Sequence, residues 1–313
     1  MTVKAERPGS RPQVGWGKHL RRHYWLYLFL LPGFVFLVVF RYIPMGGIII
    51  AFKDYNNVKG VFGSPWVGVK HFEYMFQSAA FLRVLRNSIV ISVYRLAAGF
   101  PAPILLALLL NEMRSQAYKR TMQTVLYLPH FISWVVVYGI ILNFLSPSTG
   151  VINRLLTMLG GSPVPFLTKA RYFRSVAVIT DIWKNAGWGT VVYMAAIAGI
   201  DPTYYEAAII DGASRVRRVF HVTLPLIGNT IVVMLILRAG SLLSNGFEQI
   251  YLLQNALNSD VAEVIETYTY RVGLREGRFS FSSAVGLFQS VIGFILIFLT
   301  NWFSRRIGEG GLW

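Results

Sequence analysis

Residues 201–225 read DPTYYEAAIIDGASRVRRVFHVTLP, a polar, glycine-broken segment between two long apolar runs. Asp201 before Pro202 is a helix-start signal: an acceptor for the first free amides, then a residue whose φ is already set for the first helical position. Tyr204 to Ile210 suffices for about two turns. Asp211-Gly212 ends them, because glycine tolerates the left-handed backbone that follows a helix. Ser214 caps a second helix running to about Val222, and Pro225 opens the next apolar run. The segment predicts two short helices at an angle, tied at both ends to long apolar helices.

Those flanking runs set the class. Of 313 residues, 54% are hydrophobic, too many for an ordinary soluble domain. With no cysteine, disulfides and thiolate chemistry are excluded. The five histidines (His19, His23, His71, His130, His221) show no metal-ligand spacing, so no metal site is expected. The net charge of +16 comes from cations that mostly flank apolar runs. That pattern fits anionic headgroups of a lipid bilayer and not nucleic acid.

A bilayer core needs about 20 apolar residues in helix. Six runs meet that length: Trp25–Arg41 (extension to Ala51 left open), Ser88–Leu110, Thr124–Leu145, Val176–Ile200, Leu226–Leu243 and Phe281–Phe303. The first follows Lys18, Arg21 and Arg22 as a secretory signal would, but it lacks a small-residue cleavage site and carries Pro32 and Pro44. It is expected to be retained. The fold class is all-α: a polytopic membrane protein with six spans.

Arg7, Arg11, Lys18, Arg21 and Arg22 precede the first span, and Arg114, Lys119 and Arg120 lie between spans two and three. Arg215, Arg217 and Arg218 lie between four and five, and Arg305 and Arg306 follow six. An even span number puts all four segments on one side, which the positive-inside rule makes cytoplasmic. The opposite loops, 42–87, 146–175 and 244–280, also carry cations, but at lower density. A short helix is expected at Val151–Leu159, ended by Gly160-Gly161. The expected layout is a cytoplasmic tail (1–23, its first 18 residues poorly ordered), a transmembrane domain (24–304, with the cytoplasmic loop 201–225) and a second cytoplasmic tail (305–313).

Within that loop, Glu206, Ala207, Ala208 and Gly212 read E-A-A-x-x-x-G, followed by Val222 and then Leu224-Pro225. The spacing resembles the cytoplasmic EAA loop of ABC importer permeases, which docks into a groove on a partner ATPase. Met45–Asn56 (MGGIIIAFKDYN), Ala107–Glu112 (ALLLNE), Asp181–Gly189 (DIWKNAGWG), Tyr268–Leu274 (YTYRVGL) and the closing Gly311-Leu312-Trp313 are similar to permeases of the carbohydrate-uptake ABC family. Among these the chain looks most like the maltose-permease-F-like members that import complex oligosaccharides, with a type I importer fold. It departs modestly: Val222 stands in place of the usual isoleucine, and Arg238 is an unexpected cation in span five.

The resemblance implies a second homologous permease, two ATP-binding subunits and an external solute-binding lipoprotein as partners. It implies that Glu206, Ala207, Ala208, Asp211, Gly212, Phe220, Leu224 and Pro225 couple to the ATPase. Glu206 offers a carboxylate, the alanines permit close backbone approach, and Phe220 serves as an apolar knob. No G-x-x-x-x-G-K-[ST] and no nucleophile motif is present. The chain is therefore expected to bind no cofactor, with ATP and Mg on the partner subunits, and to catalyse nothing itself.

Sugars are held by planar polar groups and by aromatic faces laid on their C–H surfaces. Span four best combines these, with Asp181, Trp183, Lys184, Asn185, Trp188 and Tyr193. Asp181 and Lys184 are one turn apart and can pair, easing an insertion cost of about 2.5–3.5 kcal/mol each. Asn143, Asn245 and Glu248 complete the expected substrate path, with Gln249, Gln289 and Ser290 as further options. Interface anchoring for the tryptophans and interhelical bonding for the asparagines remain open. Arg95 and Arg238 are expected to snorkel or to meet internal carbonyls, with an acidic substrate as another use for Arg238. Pro101 and Pro103 should interrupt span two, and Ala195, Gly199, Gly286, Ser290 and Gly293 offer small packing faces. The rivals are a permease for a non-sugar solute, a secondary transporter or channel active without nucleotide, and a membrane-anchored scaffold.

Overall fold

A computed structural model describes residues 16–306 and 311–312. The expected tail therefore lies largely outside the described residues, as does Trp313. Helices α1 (His23–Phe52) and α2 (Ala79–Asn111) are each long and apolar enough to cross a bilayer. Each passes through a π-helical turn just before a proline: Val38–Tyr42 ahead of Pro44, and Arg95–Gly99 ahead of Pro101. A wide turn accommodates the hydrogen bond that proline cannot donate. The expected interruption of span two is thus a local unwinding within one continuous helix.

The third run is broken where the sequence predicts one uninterrupted helix over Thr124–Leu145. Helices α3 (Gln116–Phe131) and α4 (Trp134–Leu145) meet at 102°. Leu128–Phe131 tightens into a 3₁₀ turn around Pro129, and the Ser133 side chain restarts the helix by accepting from the Val136 amide. Breaks of this kind in a membrane must be satisfied from elsewhere in the protein. Here Lys184 does so: its Nζ donates to the carbonyls of Pro129, His130 and Ile132 at 3.2, 2.7 and 2.6 Å.

The short helix α5 (Val151–Met158) ends at Gly160 as expected, and leads to α6 (Ala170–Ala198). The 29 residues of α6 span about 43 Å, long enough to cross although the helix carries charge. It packs most closely against α2. At Gly187 a Cβ would stand 1.9 Å from the Leu126 carbonyl oxygen, so the α3–α6 approach requires glycine. Helices α7 (Pro202–Ile210) and α8 (Arg215–Leu226) follow, and α9 (Gly228–Gly240) leaves α8 at 61°. Pro225 lies near the end of α8, and the turn into α9 falls at Ile227, two residues later than the sequence predicts, because the π-helical turn Val219–Thr223 ahead of it accommodates the hydrogen bond proline cannot donate. Helices α10 (Phe247–Leu253), α11 (Ile265–Tyr270) and α12 (Phe279–Arg306) complete the order.

Among the described residues, three helices qualify as spans on length and composition, and five if each bent pair is one crossing. A count of six adds the charged α6.

Helix α2 runs past three apolar clusters. Its Phe81 and Val84 meet Tyr268, Phe281 and Val285; its Ile91 meets Val137, Phe173 and Ile250. Its Ile104 and Ala107 meet Tyr193, Ile197 and Ile227. In lipid such clusters hold by close packing more than by expulsion of water. Of the expected small faces, Gly293 is used: a Cβ there would lie 2.6 Å from the Gly240 carbonyl, joining α12 to α9, whereas Gly286 faces open space. By contrast only the Gly46–Phe52 end of α1 packs on α12, and 6% of the helix's apolar window is buried within the chain.

Candidate functional site

The 201–225 segment is a capped helical hairpin. The Asp201 side chain accepts from the Thr203 amide at 2.9 Å, and that backbone hydrogen bond holds its carboxyl below the ordinary aspartate value. At the turn Gly212 has φ +72°, a backbone open to glycine and strained for other residues. The amides of Gly212 and Ala213 close α7 by donating to Ile209 and Ala208 carbonyls, at 3.0 and 2.9 Å. Ser214 caps α8 by accepting from the Arg217 amide. One side-chain bond crosses between the arms, Tyr205 to the buried Thr223 at 3.0 Å.

What the hairpin does with its remaining side chains is the informative part. Val219 and Leu224 pack onto the apolar cluster around Ile227, rooting the base. Glu206, Ala207, Asp211, Pro225 and Phe220 are exposed, and Ala208 is half-buried. Ile210 is 85% exposed and Phe220 61%. A rigid, capped element presenting isoleucine, phenylalanine and a carboxylate outward has the composition of a contact surface.

The second constellation is buried at the π-helical turn of α2. Arg95, 5% exposed, donates from one Nη to the Asn245 carbonyl at 2.5 Å and from the other to Gln249 Oε1. Its Nε stands 3.9 Å from Asp181 on α6. Gln249 in turn donates to the Ala177 carbonyl at 2.7 Å and to Thr180 at 2.8 Å. The Asn245 side chain donates to the Ser88 carbonyl and accepts from Ser92, and its backbone amide donates to Glu266. This network pins the turn between α9 and α10 against α2 and α6.

The expected Asp181–Lys184 pair does not form. Lys184 is committed to the three carbonyls of the α3–α4 break, and Asp181 accepts from Asn185 at 2.9 Å. Three freed carbonyls offer an ammonium more than one carboxylate a turn away, and Arg95 already serves Asp181. Asn185 also meets His130 at 3.1 Å, and the His130 ring stacks on Trp188 at 5.0 Å.

Asp181, Asn185, Tyr193 and Arg238 share a cavity of about 210 Å³ with Phe100 and Pro103, between α2, α6 and α9. The other expected path residues lie elsewhere. Trp183 lines an apolar groove with Phe144 and Ile179; Asn143 is exposed and donates back to the Gly139 carbonyl of its own helix. Asn245 is fully buried in the network, and Glu248 is exposed beside it. Gln289 donates to the Leu243 carbonyl, and Ser290 to Gly286 of its own turn. Ser88, Ser92 and Glu266 escaped sequence reasoning. Their partners lie up to 177 residues away, and no periodicity marks such pairs.

The family model described as "Binding-protein-dependent transport system inner membrane component" matches residues 99–309. Protein LplB of Bacillus subtilis (strain 168) is 48% identical over 299 residues, covering 96% of this chain and 94% of LplB. The polygalacturonan/rhamnogalacturonan transport system permease protein YteP of the same organism is 47% identical over 289 residues, covering 92% of this chain and 90% of YteP. Among solved structures, a bacterial ABC transporter involved in import of the acidic polysaccharide alginate superposes with TM-score 0.86 at 43% identity, covering 94% of this chain and 99% of that one. A second structure of the bacterial alginate transporter, with an alginate pentasaccharide-bound periplasmic protein, gives 0.87 at 42% identity, covering 95% and 99%.

Proposed function

Because this chain belongs to the binding-protein-dependent transport system inner membrane components, we propose that it imports acidic oligosaccharides by alternating access, as one half of a two-permease core. It is a membrane-embedded sugar ABC permease component and not an enzyme. The observation that carries the proposal is the hairpin: its base is rooted in the third cluster while Glu206, Ala207 and Phe220 are left facing out.

ATP and Mg are bound by two partner subunits, each gripping one such hairpin. Closure of the pair pulls α7 and α8 together with α6 and α9, opening the path outward to receive sugar from a binding protein; hydrolysis resets it. The hairpin and both termini then face the cytoplasm, and residues 244–280 face outside. All six crossings are spans, counting α6 and each bent pair. The exposed circumference of α1 is covered by lipid and the second permease.

An acidic cargo is supported by Arg238, an exposed cation on the 210 Å³ cavity that already holds Asp181, Asn185 and Tyr193. The names of YteP and of the alginate importer agree with it.

The test is the reconstituted complex of both permeases, ATPase and binding protein, assayed with acidic and neutral oligosaccharides. Ala207→Trp should leave the complex assembled in the membrane yet abolish stimulated ATPase and uptake. Uptake at wild-type rate by that variant, or uptake without nucleotide, overturns the coupling role. Equal uptake of neutral and acidic sugars overturns the choice of cargo.

A further inference from the structure

A second cavity lies at the end of α9 opposite the hairpin, within residues 244–280. It encloses about 560 Å³, within the range of small-ligand sites. Tyr251, Gln254, Glu263, Tyr270, Arg271 and Arg275 line it. The two cations are in different states. Arg271 is neutralised, donating to both Glu263 oxygens at 2.7 and 3.2 Å and to Glu276 at 2.6 Å. Arg275 meets no carboxylate among the described residues. Its guanidinium lies over the rings of Tyr251 and Tyr270, 5.8 and 5.5 Å from their centres, and donates to the Tyr251 hydroxyl at 2.6 Å.

Two further features point to a ligand. Tyr251 and Tyr270 meet edge to face at 5.4 Å, and Phe247 stacks on Tyr251 at 5.1 Å, so the aromatic wall is braced before anything binds. Gln254 Oε1 is a buried acceptor with no hydrogen-bond partner. A buried acceptor left unmade carries a cost of about 1–3 kcal/mol, which a hydroxyl donor from a ligand removes.

We infer that this cavity is an outer receiving site for a uronate residue of the oligosaccharide, separate from the cavity that holds Arg238. The carboxylate pairs with Arg275, the C–H face of the ring lies on the tyrosines, and a hydroxyl donates to Gln254 Oε1 once that side chain turns into the cavity it lines. A neutral sugar satisfies the last two contacts but not the first, so the site selects for charge at the entrance. The inference rests on the orientation and cargo under Proposed function.

The experiment measures binding of trigalacturonate and of its uncharged trimethyl ester to the assembled importer in lipid nanodiscs, without the binding protein. The wild type should prefer the acid about tenfold or more. Arg275→Gln should remove that preference and leave the ester unchanged, and Tyr270→Ala should weaken both. Gln254→Leu separates site from scaffold: affinity for both sugars falls several-fold while the thermal midpoint holds or rises, since an unmet acceptor has been removed. If Arg275→Gln fails to assemble, Gln254→Leu carries the test. Arg238→Gln should leave this binding intact. No binding by the wild type, or wild-type affinity in both Arg275→Gln and Gln254→Leu, overturns the site. So does an Arg275→Gln that spares sugar binding and weakens docking of the binding protein. The broader function fails on a different result, namely absence of oligosaccharide-stimulated ATPase with the binding protein present.

Discussion

The α7–α8 hairpin and the Arg95 network hold their polar groups in opposite ways. In the hairpin, the backbone is capped from within, but Glu206, Phe220 and Ile210 face outward and serve nothing among the described residues. In the network, Arg95, Asn245 and Gln249 are buried and use one another. A group facing outward on a rigid element is available to another subunit; a buried, mutually bonded group is already spent on holding its own helices. Substitutions in the first region should therefore change function at nearly constant stability, and those in the second should change stability first.

The largest effect is expected for Gly212→Pro. Proline is confined near φ −65° and cannot adopt +72°, so the hairpin turn must rebuild. Sugar-stimulated ATPase and uptake should fall to background while the variant still inserts. A normal transport rate would break the contrast at its strongest point.

Next is Arg95→Met, which leaves the buried Gln249 oxygen and the partly buried Asp181 without their cation. Breaking such a pair costs about 3–5 kcal/mol, read as a lowered thermal midpoint of the purified complex. Unchanged stability with lost coupling would reverse the assignment of the two regions.

Lys184→Met sharpens the same side. It orphans the Pro129, His130 and Ile132 carbonyls, with an expected loss of about 1–3 kcal/mol and greater proteolytic access at the α3–α4 break. If the break instead depends on Asp181, Asp181→Asn will open it equally and Lys184→Met will not.

The smallest effect is at the Asp201 cap. Its carboxyl is held below the usual aspartate value of about 3.9 by the Thr203 amide. A depressed folded value means a stabilising contribution that is fully present above about pH 4. It is lost as pH falls through the folded value. The protection of the α7 amides, relative to their intrinsic exchange rates, should thus be unaffected by this group between pH 5 and 7 and fall in stronger acid. Asp201→Asn, which keeps an acceptor, should remove the acid step and leave α7 formed.

Much of the hairpin was legible in residues 201–225. Asp201-Pro202, Asp211-Gly212 and Ser214 are local signals, each acting over about three residues, so spacing alone places the caps. The apolar runs were equally plain. The break at Ile132-Ser133 was hidden because nothing apolar is missing from Thr124–Leu145. Its cause is a proline whose freed carbonyls are answered from α6, 52 or more residues on. The pairing of Asp181 misled for a related reason: a partner one turn away is visible in sequence, while Arg95 arrives from another helix.

By itself, the order of residues determined that this protein crosses a membrane in helices and carries a capped polar hairpin between two of them. Periodicity, capping and hydropathy act within one helix length, so they are written in the chain. Only the packed structure decided which charge answers which, since Arg95, Lys184 and Gln249 meet their partners across helices, where geometry and not spacing selects among donors and acceptors.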